Sequence, residues 1–251
     1  MYFLIKDYFD MYREKLPRSI EASFSSLQPH KNGGLEYLLE ASAVYSSNIE
    51  GNTMDLNSFM NAKSVAGPKP KEFQEIVDLK AAYDLARTHE LTEAHMLEAH
   101  KILSEKIVSA GNRGAYRTDK VGVFSAHGLV YIALEHEKVA EEMHKLFSDI
   151  AEVKADTTEE ALYGASLAHL RFVEVHPFMD GNGRMARLLE KWILAKLLGE
   201  KAWLIESERY YKEHLADYYT NINLGVNYYE LDYSRSVPFL LMLPAALTGE
   251  A

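Results

Sequence analysis

The sequence contains no cysteine among its 251 residues. Disulfide bonds and metal sites built from thiolates are therefore excluded, and the composition fits a cytoplasmic protein. The chain carries 27 basic and 37 acidic residues, which gives a net charge of −10. This acidic balance argues against a general nucleic-acid-binding surface.

Long hydrophobic runs are also missing. Residues 1–15 are interrupted by charges and lack the apolar stretch of a signal peptide. The apolar segment from Pro238 to Leu247 is too short to span a bilayer. We expect it to pack on the rest of the protein, and we expect no membrane contact. With 47% hydrophobic residues and no repeats, the chain can build one large or two small domains.

The spacing of apolar residues is mainly helical. Helices are predicted over about 35–49, 71–89, 135–153, 157–176 and 183–198, with another beginning after Thr92. β-branched and aromatic residues between Val121 and Ala133 predict a short β-hairpin. We therefore predict a mainly α fold. It is divided into an N-terminal helical extension over 1–90, a core over 91–230 and a C-terminal tail over 231–251.

The most informative stretch is residues 176–187, His-Pro-Phe-Met-Asp-Gly-Asn-Gly-Arg-Met-Ala-Arg. Pro177 disfavours the α conformation at His176, so the preceding helix is expected to end there. Residues 180–183 have the composition of a turn that tolerates positive φ. The pattern predicts a helix, a glycine loop and a second helix whose N-terminus can bind an anion.

Two arginines fall in the first turn of this second helix, which is expected to begin at Gly183 or Arg184. Arg184 and Arg187 are three residues apart and share one helix face. A cation in the first turn opposes the helix dipole at a cost of roughly 0.3–1 kcal/mol. A helix selected for stability alone would carry acidic residues here. The arginines therefore predict a ligand with several negative charges, such as a nucleotide triphosphate.

Two further side chains of this stretch fit phosphate chemistry. His176 is the candidate general base, because imidazole titrates near neutral pH. Asp180 is the candidate Mg²⁺ ligand, because Mg²⁺ usually binds through one or two carboxylates together with substrate phosphates. The alternative is a structural turn with a buried histidine and surface arginines, and the complete pattern favours the phosphate site over it.

This stretch resembles the Fic family of adenylyl transferases, whose pattern His-Pro-Phe-x-Asp-Gly-Asn-Gly-Arg-x-x-Arg is met at every fixed position. The resemblance implies a Fic-type helical core with a short β-hairpin flap. It also implies transfer of AMP from ATP to a Ser, Thr or Tyr hydroxyl of a target protein, with pyrophosphate leaving.

The resemblance assigns roles to individual residues. His176 would deprotonate the hydroxyl, and Asp180 would hold Mg²⁺. Arg184 would contact the α/β-phosphate region, and Arg187 the γ-phosphate. Three loop residues would cradle the phosphates: Gly181, Asn182 and Gly183.

A second motif, Ser-Ser-Asn-Ile-Glu-Gly-Asn, closes the helix predicted over 35–49. Gly51 suits the C-cap of this helix. Glu50 then lies at the negative end of the helix dipole, where a carboxylate needs a cationic partner or open water. Ser46 lies one turn earlier and could hold that carboxylate in position.

This segment resembles the inhibitory motif of Fic proteins that carry it N-terminal to the core. The resemblance implies that Glu50 pairs with Arg187 and blocks productive binding of the γ-phosphate. The alternative is a solvated glutamate at a frayed helix end.

The predicted hairpin at Val121–Ala133 corresponds by resemblance to the family's flap, which binds a target segment as an added strand. The alternative is a ribbon that only covers the core. Two rival activities stay open: removal of AMP at the same site, with Glu50 positioning a water, and a catalytically silent interaction module. The presence of His176 and Asp180 argues against the silent module. The sequence leaves the oligomeric state undecided, with a homodimer as one option.

Overall fold

The computed structural model describes residues 6–17, 19–29, 34–125 and 128–249. The helices in these ranges are α1 (Lys6–Glu14), α2 (Ile20–Ser26), α3 (Gly34–Ile49), α4 (Leu56–Ser64), α5 (Lys71–Thr88), α6 (Glu93–Leu103), α7 (His136–Glu152), α8 (Thr158–Val175), α9 (Asn182–Leu198), α10 (Ser207–Glu213), α11 (Leu215–Ile222), α12 (Val237–Leu240) and α13 (Met242–Thr248). Two strands, β1 (Gly122–Ser125) and β2 (Gly128–Ile132), form an antiparallel hairpin. The predicted mainly α fold with a short hairpin is confirmed.

Helices α8 and α9 form the centre of the molecule and pack against each other. α8 is buried on nearly all sides, which explains why its sequence is apolar around most of its circumference. α3 packs on α5 and α10, and α5 packs on α6 and α9. One hydrophobic core extends from Tyr12 in α1 to Leu247 in α13. The division into an extension, a core and a tail stays a prediction.

The two ends of α8 are fixed by different local interactions. At the start, Thr157 Oγ1 accepts a hydrogen bond from the Glu160 amide at 3.2 Å. At the end, the helix stops at Val175 as predicted, and His176 adopts a left-handed conformation with φ 51° and ψ 61°. Among the described residues, His176 is the only residue other than glycine with a positive φ. Such a conformation is strained and is held by its surroundings.

α9 begins at Asn182, so the predicted start at Gly183 or Arg184 was wrong by one or two residues. Gly181 is the N-cap and has a φ of 82°. The Asn182 amide closes the loop by accepting from the Phe178 N–H at 2.9 Å and donating to the Phe178 carbonyl at 2.9 Å. This bridge draws Asn182 into the helix. Gly199 is the C-cap of α9, with a φ of 80°, and the helix ends at Leu198 as predicted.

The segment before the hairpin is hydrogen-bonded to the loop between α8 and α9. The Arg117 side chain, which is buried, donates from Nε to the His176 carbonyl at 2.7 Å, and its backbone N–H donates to the Pro177 carbonyl at 2.9 Å. A bulge lies between Val123 and Phe124. The tip at residues 126–127 lies outside the described residues. The segment that leads into the hairpin is thus fixed beside His176.

The strand β2 has a second neighbour near its end. The Ile132 N–H donates to the Val226 carbonyl at 3.0 Å, and the Tyr228 N–H donates to the Ile132 carbonyl at 3.3 Å. The segment after α11 therefore covers this edge of β2. No helix in the described ranges is both long enough and apolar enough to cross a membrane.

Candidate active site

His176 lies at the junction of α8 and the glycine loop. Its Nδ1 lies 3.2 Å from the Val173 carbonyl, which can only accept, so Nδ1 carries the proton and Nε2 is left as an acceptor. Burial lowers the pKa of this imidazole from its ordinary value, and the Arg117 guanidinium lowers it further. Together these contacts keep His176 neutral and able to accept a proton at neutral pH.

His176 lines a cavity of about 760 Å³. Cavities of about 300–1,000 Å³ are the usual size for small-molecule sites. The other walls come from the hairpin, the start of α9, the end of α3 and the segment from α11 onward. Its lining includes Glu50, Val123, Phe124, Tyr131, Gly183, Arg187, Tyr218, Tyr219, Asn223, Leu224 and Arg235. The tertiary structure therefore brings both sequence motifs and the hairpin to one space.

Arg187 is fully buried at the wall of this cavity. Its Nε donates to Ser46 Oγ at 2.9 Å, and NH2 donates to the Ser46 carbonyl at 3.0 Å and to Glu50 Oε1 at 2.7 Å. NH1 donates to the Tyr218 hydroxyl at 3.1 Å. Burial alone would lower the pKa of Arg187, but Tyr218 and Glu50 outweigh burial and raise it. The guanidinium is therefore a permanent cation with four acceptors around it.

The Glu50 carboxylate lies where the second glycine of the loop leaves room. A Cβ added to Gly183 would overlap with Glu50 Oε1 and would lie 3.2 Å from Arg187 NH1. The space beside the start of α9, where free backbone N–H groups attract anions, thus holds a carboxylate in this structure. The Glu50 side chain is 30% exposed, so the contact is reachable from the cavity.

Arg184 points elsewhere. It is buried, and its NH2 lies 3.9 Å from Glu75 Oε2 on α5. Glu75 in turn accepts from the Asn52 amide at 3.2 Å. Within the described ranges, Nε and NH1 of Arg184 have no hydrogen-bond partner. The predicted contact between Arg184 and the α/β-phosphates stays a prediction.

Asp180 has an exposed side chain, and its Oδ1 accepts from the Gly181 N–H at 2.6 Å. The described residues contain no group of three or more side chains that could by themselves enclose a metal ion. A single exposed carboxylate fits Mg²⁺, which is commonly held by one carboxylate, substrate oxygens and waters. Asp180 is therefore a suitable protein ligand for a metal that arrives with a nucleotide.

Phe178 anchors the loop between α8 and α9. It is fully buried and stacks on His100, with the two ring centroids 3.5 Å apart. His100 Nδ1 accepts from the Gly114 N–H at 3.0 Å, and Nε2 lies 3.0 Å from the Asp180 carbonyl. His100 is thus a core histidine with both ring nitrogens in hydrogen-bond contact.

The sequence reasoning missed the partners behind Arg187. In the sequence, Tyr218 is one of several tyrosines in the C-terminal region and His169 lies on an apolar helix stripe, and neither pattern indicates a contact with Arg187. In the structure Tyr218 contacts both Arg187 and His169. The available signals were two polar residues on buried helix faces, His169 on α8 and Glu190 on α9. No spacing rule relates these positions to Tyr218 on α11.

Comparison with known proteins points to the same family as the motif at residues 176–187. Residues 90–194 match the model of the Fic/DOC family. Protein adenylyltransferase fic-1 of Caenorhabditis briggsae is 28% identical over 156 residues, which cover 59% of this chain and 30% of that protein. Protein adenylyltransferase Fic of Drosophila grimshawi is 32% identical over 164 residues, which cover 61% and 32%. The chain spans about a third of the length of these curated relatives.

Solved structures show the same fold. A Fic family protein from Desulfovibrio desulfuricans G20 aligns with a TM-score of 0.72 at 24% identity, over 98% of this chain and 72% of that one. Fic-1 from C. elegans aligns with a TM-score of 0.64 at 20% identity, over 97% and 71%. The motif is complete in the sequence and the fold is shared with these proteins, so residues 90–194 of the chain form a Fic domain.

Proposed function

We propose that the protein is a protein adenylyltransferase that transfers AMP from Mg-ATP to a Ser, Thr or Tyr hydroxyl of a target protein. The observation that carries this proposal is the cavity of about 760 Å³, onto which His176, Gly183 and Arg187 all open. Relatives named protein adenylyltransferase support it, although the chain spans only part of their length.

In the proposed reaction, the target hydroxyl oxygen attacks the α-phosphorus of ATP. A new P–O bond forms, the bond from the α-phosphorus to the bridging oxygen breaks, and pyrophosphate leaves. His176 Nε2 accepts the hydroxyl proton. Backbone N–H groups at Gly183 and the Arg187 guanidinium stabilise phosphate charge. Asp180 would hold Mg²⁺, which supplies further charge neutralisation on the phosphates when bound.

We propose that the target binds along the hairpin. The outer edge of β1 has no strand partner within the described residues, whereas the end of β2 is covered by the segment at residues 226–228. Phe124 and Leu129 are 72% and 52% exposed and could contact target side chains. An added strand on β1 would bring its hydroxyl to the cavity through backbone pairing that tolerates many sequences.

We further propose that the described arrangement is inhibited. The Glu50 carboxylate holds Arg187 at 2.7 Å and fills the space beside Gly183. A γ-phosphate needs the same guanidinium and the same space, so only one of the two anions can bind. Release of Glu50 would then switch the site on.

A second activity deserves a direct test because Glu50 itself lines the cavity. In that position its carboxylate could orient a water for hydrolysis of AMP from a modified target. The two activities depend on Glu50 in opposite directions: transfer increases when Glu50 is removed, and hydrolysis is lost.

The test uses purified wild-type, Glu50→Gly and His176→Ala proteins with Mg-ATP and a cell lysate. Mass spectrometry should find AMP on a target hydroxyl with Glu50→Gly and not with His176→Ala. The modified target is then returned to the wild-type and Glu50→Gly proteins. Release of AMP by the wild type alone would support the second activity, and the absence of any AMP adduct with Glu50→Gly would refute the first.

The cytoplasmic location stays a prediction. The homodimer and the lack of general nucleic-acid and membrane binding also stay predictions. Size-exclusion chromatography with light scattering would determine the oligomeric state.

A further inference from the structure

A line of buried polar side chains runs behind Arg187. Tyr218 on α11, His169 on α8 and Glu190 on α9 are 2%, 0% and 0% exposed. The Tyr218 hydroxyl lies 3.0 Å from His169 Nε2, and His169 Nδ1 lies 2.8 Å from Glu190 Oε2. Three helices thus meet through a chain of contacts that ends on the guanidinium.

The donors and acceptors in this chain can be ordered. A guanidinium can only donate, so Arg187 NH1 donates to the Tyr218 oxygen. The single hydroxyl proton of Tyr218 is then free to be donated to His169 Nε2. That places the histidine proton on Nδ1, from which it is donated to the Glu190 carboxylate. Every group in the line has a partner, as burial requires.

The carboxylate at the far end has a second partner. The Tyr211 hydroxyl donates to Glu190, with distances of 2.9 and 3.0 Å to the two oxygens. Tyr211 is fully buried and packs beside Tyr218 with ring centroids 5.0 Å apart. It touches the same carboxylate but makes no hydrogen bond to Arg187, so it provides a matched control.

Tyr218 differs from the other partners of Arg187 in where it comes from. Ser46 and Glu50 both belong to the second sequence motif at the end of α3. The proposed activation removes Glu50 from the guanidinium and loosens that side. Tyr218 comes from α11, outside that motif. Among the side-chain contacts described for Arg187, it is the one whose partner lies outside the second sequence motif.

We propose that Tyr218, His169 and Glu190 are positioning residues that fix the Arg187 guanidinium for whichever anion binds it, Glu50 or the terminal phosphate of ATP. The inference rests on the proposed function, because it assigns Arg187 to that phosphate. A long side chain loses considerable rotamer freedom when it is fixed. By holding Arg187 in advance, the three residues remove that loss from the cost of binding the phosphate.

The test measures nucleotide affinity by calorimetry in the Glu50→Gly protein with Mg²⁺. We expect Tyr218→Phe to weaken ATP binding by about tenfold, the effect of one hydrogen bond to a charged group. ADP binding should change by less than about twofold, because ADP has no phosphate at the Arg187 position. Tyr211→Phe should leave both affinities unchanged. A merely structural role would weaken ATP and ADP equally, and would make Tyr211→Phe resemble Tyr218→Phe.

A second pair of variants keeps the test decisive if Tyr218→Phe does not fold. His169→Gln retains one acceptor and one donor in the line, whereas His169→Phe removes both. The selective loss of ATP affinity should appear in His169→Phe and be rescued in His169→Gln. If the Glu50→Gly reference binds ATP but all variants bind it equally well, the positioning inference fails alone. If the reference binds no ATP, both that inference and the proposed function fail.

Discussion

The contact between Glu50 and Arg187 allows a graded prediction. The 2.7 Å hydrogen bond joins a fully buried guanidinium to a carboxylate that is 30% exposed. A hydrogen bond to a charged group contributes about 1.5–3 kcal/mol, and partial exposure favours the lower part of this range. Because 1.4 kcal/mol corresponds to about tenfold in an equilibrium, Glu50→Gly should raise AMP transfer by about tenfold to a hundredfold at subsaturating ATP.

The fold should survive this change. Glu50 lies at the carbonyl end of α3, where its removal relieves an unfavourable interaction of roughly 0.3–1 kcal/mol. Arg187 keeps its bonds to Ser46 and Tyr218, and water from the cavity can replace the lost carboxylate. The unfolding temperatures of the two proteins should therefore be similar.

Two further variants make the result interpretable. Glu50→Gln keeps an acceptor for Arg187 but loses the negative charge, so its activity should fall between those of wild type and Glu50→Gly. Arg187→Ala should not activate, because the arginine is also needed for the phosphate, and the double variant should behave like Arg187→Ala. Initial rates of labelled AMP incorporation are measured against ATP concentration. If Glu50→Gly is no more active than wild type on any substrate, itself included, the inhibitory interpretation is wrong.

Four other predictions follow from the same site, and the first three use the Glu50→Gly protein. His176→Ala should abolish transfer but leave ATP affinity, measured by calorimetry, unchanged, because the base acts on the hydroxyl. With His176 present, burial lowers the imidazole pKa from its ordinary value of 6.5, so activity should fall only when the pH drops below 6.5. Asp180→Ala should abolish the Mg²⁺-dependent activity, because the metal would bridge this carboxylate and the phosphates. An unchanged Mg²⁺ titration would show that the metal ligand lies elsewhere. Val123→Pro should lower target modification while sparing ATP affinity. Val123→Thr keeps the backbone N–H and should leave target modification unchanged. An equal loss of ATP affinity in Val123→Pro would show that the hairpin has only a structural role. Glu174→Gln tests a buried carboxyl group whose pKa is raised by burial to about 7. Because the folded protein holds this proton more tightly than the unfolded chain, the group stabilises the fold at a pH below the ordinary carboxyl pKa. This stabilisation is lost as the pH rises through about 7. The unfolding temperature of wild type should thus fall between pH 5 and 8 more steeply than that of Glu174→Gln, and parallel curves would contradict the buried-carboxyl reading.

Local sequence determined most of the helix boundaries. Thr157 and Gly199 mark the ends of α8 and α9 because capping depends on the residue itself and its near neighbours. The position of the hairpin was predicted because β-branched and aromatic residues are enriched between Val121 and Ala133. The start of α9 at Asn182 was missed, because the Asn182 side chain bridges back to Phe178 only after the loop has closed.

The elements of the candidate site were likewise readable before the structure. Charge against the helix dipole marked Glu50 and Arg187 separately, and the family resemblance suggested that they meet. Their 137-residue separation is spanned by the packing of α3 on α9. The dipole argument is local, so it identifies misplaced charges but does not say which of them are neighbours.

The tertiary structure alone decided what surrounds Arg187 and where Arg184 points. Tyr218 reaches Arg187 across 31 residues and meets His169 across 49, and Arg184 faces Glu75 instead of the cavity. No periodicity relates a residue on α11 to residues on α8 and α9. Burial requires each polar group there to find a partner, and only the packing of whole helices determines which partner is within reach.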